Sequence, residues 1–240
     1  MGQMYILIII GAFGPFISAT ILTRRQHGKE ETKTWRKNIL SIRKHIQWNL
    51  IGGLGIPLII TILHIGYVSI TQGLPSLQID PPWYWLLPAI PINVFIVFVY
   101  SSAFGEEPGW QGYAMPRLLL QFNPIASALI LGVFWALWHI PLQFISIYRG
   151  SESLCLMLLY TPALAVIATW LTNKAGGSVM PAVFLHYATN LYGGYLLGTD
   201  IFVEPLSVNF TLIKTVIYWF IAFVLLVKTH GTLDINIPKK

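Results

Sequence analysis

Apolar residues in this chain gather into seven runs, at positions 4–22, 48–67, 83–104, 124–147, 154–172, 179–197 and 210–227. Each approaches the roughly 20 residues that a helix needs to cross a bilayer's hydrocarbon core. The first run lacks a positive leader and is followed by Arg24-Arg25, so it reads as a retained helix with a stop-transfer flank rather than a cleaved signal. Segment 105–123, GEEPGWQGYAMPRLLLQFN, is too polar to cross unaided and too apolar for an ordinary loop. It predicts an eighth helix that enters the membrane without fully crossing, which is tolerated where protein or a water-filled cavity surrounds it. Pro57, Pro88, Pro91 and Pro162 fall within runs and predict kinks. The predicted fold is all-α: a polytopic membrane bundle of about eight helices, seven spanning and one partly inserted, enclosing a polar cavity. It forms a single domain, 1–240, with a catalytic core at about 83–197.

Composition agrees with this pattern. Of 240 residues 55% are hydrophobic and 10% charged, and mean hydropathy is +0.65, far from the roughly 25% charge of soluble domains. The net charge of +6 does not point to nucleic acid, because the cations sit mostly in one stretch. Between 24 and 45 lie Arg24, Arg25, Lys29, Lys33, Arg36, Lys37, Arg43 and Lys44, read as a loop on the cytoplasmic side by the positive-inside rule. Threading the seven runs from there puts the N-terminus outside and the C-terminus in the cytoplasm. Thirteen of the fifteen Lys and Arg then lie inside, with Arg149 and Lys214 outside. Tyr67, Trp83, Tyr84, Trp85 and Tyr148 fall near run ends, where aromatic belts form. The single Cys155 permits no internal disulfide and reads as a small buried hydrophobe.

Ionisable groups at membrane depth are costly, and each is a candidate functional group. Three clusters stand out. Glu106-Glu107 precede Pro108, which suits a first helical turn, so both carboxylates are expected at a helix N-terminus. Neighbouring residues diverge by about 100° around a helix, so one carboxylate can face a site and the other a structural partner; capping at the membrane surface is the plainer alternative. Trp135 and His139 are four apart on one helical face, as are His186 and Asn190. The plainer readings are a core His on a backbone carbonyl and an interhelical hydrogen-bond pair. His64 stands alone and carries no role. Together a carboxylate and two imidazoles can activate water for peptide hydrolysis, with Asn190 and a His as oxyanion donors. No G-x-S-x-G or HExxH occurs; zinc can still bind two His and one Glu with an open water position.

These motifs resemble the CAAX-protease and bacteriocin-processing family of intramembrane peptidases, also called Abi proteins, over about 83–197. The family's EExxxR, FxxxH and HxxxN/D appear as Glu106-Glu107 with Gln111, Trp135 with His139, and His186 with Asn190. The resemblance implies a helical bundle around a conical cavity, with Glu106 as general base, His139 positioning water, His186 and Asn190 stabilising the oxyanion and Glu107 in support. It implies no required cofactor in the glutamate-dependent form, or zinc on Glu106, His139 and His186 in the metallo form. Partners would be a peptide or membrane-associated protein substrate and the bilayer; the compact form without long loops points to a bacterial plasma membrane. Trp135 for Phe keeps an aromatic wall. Gln111 for Arg removes a fixed positive charge, for which Arg117, two turns on, is a candidate substitute. That departure supports the alternative of a weak or inactive member serving bacteriocin immunity or as a membrane scaffold. A transporter or proton pathway also uses buried Glu and His, though no inverted repeat is visible. At 1.5 Å per residue, His139 is expected about 10 Å deeper than His186.

Overall fold

The computed structural model describes residues 11–72, 102–144, 154–190 and 208–235. All regular structure among them is helical. The elements are α1 (Gly14–Ile39), α2 (Ile46–Leu50), a π turn (Ile51–Gly55), α3 (Ile56–Gln72), α4 (Ala103–Gly109), a second π turn (Trp110–Ala114), α5 (Met115–Leu118), α6 (Pro124–Trp138), α7 (Ile140–Gln143), α8 (Leu154–Lys174), α9 (Met180–Asn190) and α10 (Val208–Lys228). Most of run 83–104, the first residues of run 4–22 and the ends of runs 124–147 and 179–197 lie outside the described residues.

The basic stretch after the first run is not a loop. α1 continues through it to Ile39, bending at Gly28, whose φ of 83° favours glycine. Beyond the bend Thr32 and Ile39 are buried and Trp35 half-buried, a stripe at helical spacing that packs on the bundle while the lysines and arginines stay exposed. The sequence reading weighed charge and missed this stripe. The segment after Ser102 also starts earlier than expected. α4 begins at Ala103, so Pro108 lies inside the helix and only Glu106 falls in the first turn.

α8 forms the middle of the bundle, buried along most of its length and packed against α6, α9 and α10. Its contact with α6 is close because position 132 carries no side chain: a Cβ on Gly132 would fall against the Pro162 backbone. Likewise Gly105 of α4 lies on the backbone at Ala12, just before α1, and Gly109 on that of Pro15 in α1. Small residues at such crossings are how membrane helices gain dispersion contact. Outward, Leu58, Ile59 and Ile62 of α3 and Val216, Phe220 and Phe223 of α10 are exposed, an apolar belt suited to lipid rather than water. Two described helices are long and apolar enough to cross a membrane, at Leu154–Lys174 and Thr211–Lys228. Cys155, expected buried, is exposed at the start of α8.

Candidate active site

The segment with the two carboxylates is held by packing on both sides. Its glycines let α1 approach, and the π turn at Trp110–Ala114 follows the acidic pair after Pro108 and Gly109. Such a turn carries an extra residue and re-aims the side chains around it. Glu106, Glu107 and Gln111 are all buried, at 2%, 0% and 2% exposure. Burial this deep excludes the surface-capping alternative.

The two carboxylates diverge, as adjacent helical positions must, but both meet side chains from other parts of the bundle. Glu106 Oε2 accepts the indole N–H of Trp135 at 2.8 Å and that of Trp110 at 3.4 Å. Glu107 Oε1 lies 2.9 Å from His186 Nδ1 on α9. One proton is shared in that contact, because a carboxylate offers no donor of its own. The Trp135 ring packs edge-on against the His186 ring, with centroids 4.8 Å apart. Trp135 therefore touches both the Glu106 carboxylate and the imidazole held by Glu107, which joins α4, α6 and α9 at one point.

His139 occupies the C-cap of α6, half-buried, where the helix breaks before α7. Its Nδ1 is 2.9 Å from the Trp135 carbonyl. A carbonyl only accepts, so Nδ1 carries the proton and the neutral ring keeps its lone pair on Nε2. Glu106 and His139 both lie within electrostatic reach of His186. α6 ends at Trp138, and its last turn stands beside His186 through the Trp135 ring. Asn190 closes α9 one turn beyond His186, half-buried.

Gln111 Oε1 accepts from Thr169 Oγ1 of α8 at 3.2 Å. Its Nε2 and Glu107 Oε2 are buried without hydrogen-bond partners, on consecutive turns of the same segment. Arg117 does not substitute for the missing cation. It donates to the Tyr113 carbonyl and to Gln26 Oε1 of α1, both at 3.0 Å, and stacks on the Tyr113 ring.

Residues 88–192 match the family model described as Type II CAAX prenyl endopeptidase Rce1-like. CAAX prenyl protease 2 of Methanococcus maripaludis is 25% identical over 201 residues, 78% of this chain and 72% of that protein. Over this stretch the chain is similar to CAAX-type prenyl endopeptidases. The match and the apolar helices support an integral membrane protein, and the matched stretch spans all three clusters.

Around the acidic cluster, three contacts were not anticipated from sequence. Trp110, four residues after Glu106, gave a spacing signal that could have been read. Thr169 on α8 gave none, nor did Tyr218 of α10, whose hydroxyl is 3.0 Å from Thr189 Oγ1 on α9. Among the described residues no three His, Cys, Asp or Glu side chains are grouped to hold a metal ion. Glu106, His139 and His186 spend Oε2, Nδ1 and Nδ1 on indole, carbonyl and carboxylate partners. These contacts orient the three side chains and keep Glu106 Oε1 and both Nε2 atoms available, as a bound water or a metal ion would need.

Proposed function

We propose that the chain is an intramembrane endopeptidase of CAAX prenyl protease type, hydrolysing a peptide bond in a membrane-associated protein by carboxylate-activated water. The observation that carries the reading is that Trp135 contacts both Glu106 and His186, drawing residues of three motifs into one buried cluster.

Glu106 is the general base. Both indole N–H groups bind Oε2, so Oε1 is the oxygen assigned to the water. His139 Nε2, kept as an acceptor by the Trp135 carbonyl, holds the water's second hydrogen. Glu106 takes one proton, the water oxygen bonds to the carbonyl carbon, and the carbonyl electron pair moves to its oxygen. His186 Nε2–H and Asn190 donate to that oxyanion. Collapse of the tetrahedral intermediate breaks the C–N bond, and the proton on Glu106 passes to the departing amine. Glu107 orients His186. For Nε2 to donate, the shared Glu107–His186 proton must accompany a second one on Nε2, which leaves the pair with no net charge. Neutral pairs are the less costly form at membrane depth.

A second reading, a weakly active or non-catalytic binding protein, draws on the unpartnered Gln111 amide where the family pattern has Arg. The deciding experiment is cleavage of a farnesylated CAAX peptide by purified protein in liposomes, comparing wild type with Glu106→Gln. Turnover by the wild type that is lost in Glu106→Gln supports the peptidase. Equal cleavage by both rejects Glu106 as base, and no wild-type cleavage with retained peptide binding supports the second reading.

A further inference from the structure

Away from the acidic cluster, on the far side of its π turn, α1 and the start of α5 enclose a cavity of about 330 Å³ lined by Thr23, His27, Glu31, Trp35, Gly112 and Arg117, among others. Thr23, His27 and Glu31 follow one another at four-residue spacing along α1. Just before them Ile17, Ile21 and Leu22 are exposed and apolar, and just after them come exposed Lys and Arg. That change from lipid-facing to charged marks where α1 leaves the hydrocarbon, so the cavity opens at headgroup depth.

Its chemistry is two-signed. The Arg117 guanidinium is held flat on the Tyr113 ring, 3.4 Å from the centroid. Two of its five N–H groups go to Gln26 and the Tyr113 carbonyl, leaving three for an anion. The Thr23 hydroxyl is buried, lines the cavity and has no hydrogen-bond partner. A helical Thr ordinarily bonds the carbonyl a turn back, as Thr32 does to Gly28. Glu31 is exposed at the other end of the stripe, and neither it nor Arg117 belongs to an ion pair among the described residues.

We infer that this cavity binds the headgroup of a phosphoethanolamine lipid, the phosphate on Arg117 and Thr23 and the ammonium on Glu31. A held cation and a separate anion match a zwitterion, and the ammonium's N–H donors distinguish it from a methylated choline. The volume equals roughly eleven waters at about 30 Å³ each, ample for such a group. The floor of the cavity is the backbone of the second π turn, where the Gly112 carbonyl accepts from Trp35 Nε1 at 3.0 Å. A bound headgroup would brace the turn that carries Gln111.

The test is native mass spectrometry of the full chain released from detergent, with added phosphatidylethanolamine, phosphatidylcholine or phosphatidylglycerol of identical acyl chains. Retention of the ethanolamine lipid about 5-fold over the choline lipid is expected, the scale of a partly exposed ion pair. Glu31→Gln should erase that preference, and Arg117→Gln should lower retention of all three lipids. Equal retention by the wild type, or a preference unchanged in Glu31→Gln, overturns the inference. Glu31 is exposed, so its variant carries the test even if Arg117→Gln fails to fold. Occupancy by soluble phosphoethanolamine without lipid retention, or displacement of lipid by a CAAX peptide, would also overturn it in favour of a soluble ligand or a substrate site.

Discussion

Glu107 and His186 stand 79 positions apart in the chain and meet at 2.9 Å, both buried. Neither can be solvated by water at that depth, so each depends on the other for its polar partner. Removing one member leaves the other stranded, which costs about 3–5 kcal/mol for a buried pair.

Glu107→Leu and His186→Leu are therefore each expected to lower the thermal unfolding midpoint in detergent by several degrees. The double variant should be less destabilised than the sum of the two. Additive losses in that double-mutant cycle would show that the pair is not energetically coupled. Glu107→Gln should keep the fold better while removing the carboxylate that balances a second proton on the His186 ring. A fall of about 100-fold in kcat with little change in KM is expected, the scale of a lost oxyanion donor.

Trp135 separates two contributions that most substitutions would mix. Trp135→Phe keeps an aromatic ring against His186 and removes the N–H that Glu106 Oε2 accepts. A hydrogen bond to a charged group contributes about 1.5–3 kcal/mol, so activity should fall about 10-fold or more with modest loss of stability. Trp135→Leu removes the ring as well and should lower both. Equal activity in wild type and Trp135→Phe would mean that the indole does not position the carboxylate.

Gly132→Ala tests the close crossing of α6 and α8. The added Cβ meets the Pro162 backbone, and backbone cannot swing aside. Overpacking of this kind costs about 1–3 kcal/mol, and because Trp135 is one turn further along α6, cleavage should fall together with the unfolding midpoint. An unchanged midpoint would show that the crossing is looser than the described geometry.

The C-terminal segment offers a pH test outside the membrane. Asp234 lies 2.7 Å from Lys174 at the end of α8 and accepts from Trp170 Nε1 at 3.3 Å. The Lys174 hydrogen bond is the main cause holding its carboxyl below the usual range. A depressed carboxylate adds stability above its unfolded value, near 3.9, and loses it as pH falls through the lower folded value. Asp234→Asn should thus be less stable than wild type at pH 7, by little because the pair is about one-third exposed. The two proteins should converge in acid, as read by unfolding midpoints from pH 7 down to 3.

Long apolar runs, the acidic pair and the His motifs made the helical class and the candidate residues legible, because lipid demands about 20 apolar residues per crossing and tolerates few charges. Local chemistry also marked the start of α6, where Asn123 caps the helix by accepting from Ala126 N–H ahead of Pro124. Which carboxylate meets which partner was decided elsewhere. Residue spacing shows that Glu106 and Glu107 diverge, but only packing against α6 and α9 gave one the Trp135 indole and the other the His186 ring. The same holds for Thr169 on Gln111 and for Arg117 turned towards α1. Such contacts depend on how close two backbones can come, set here by Gly105, Gly109 and Gly132, and that distance is a property of the assembled bundle rather than of any single helix.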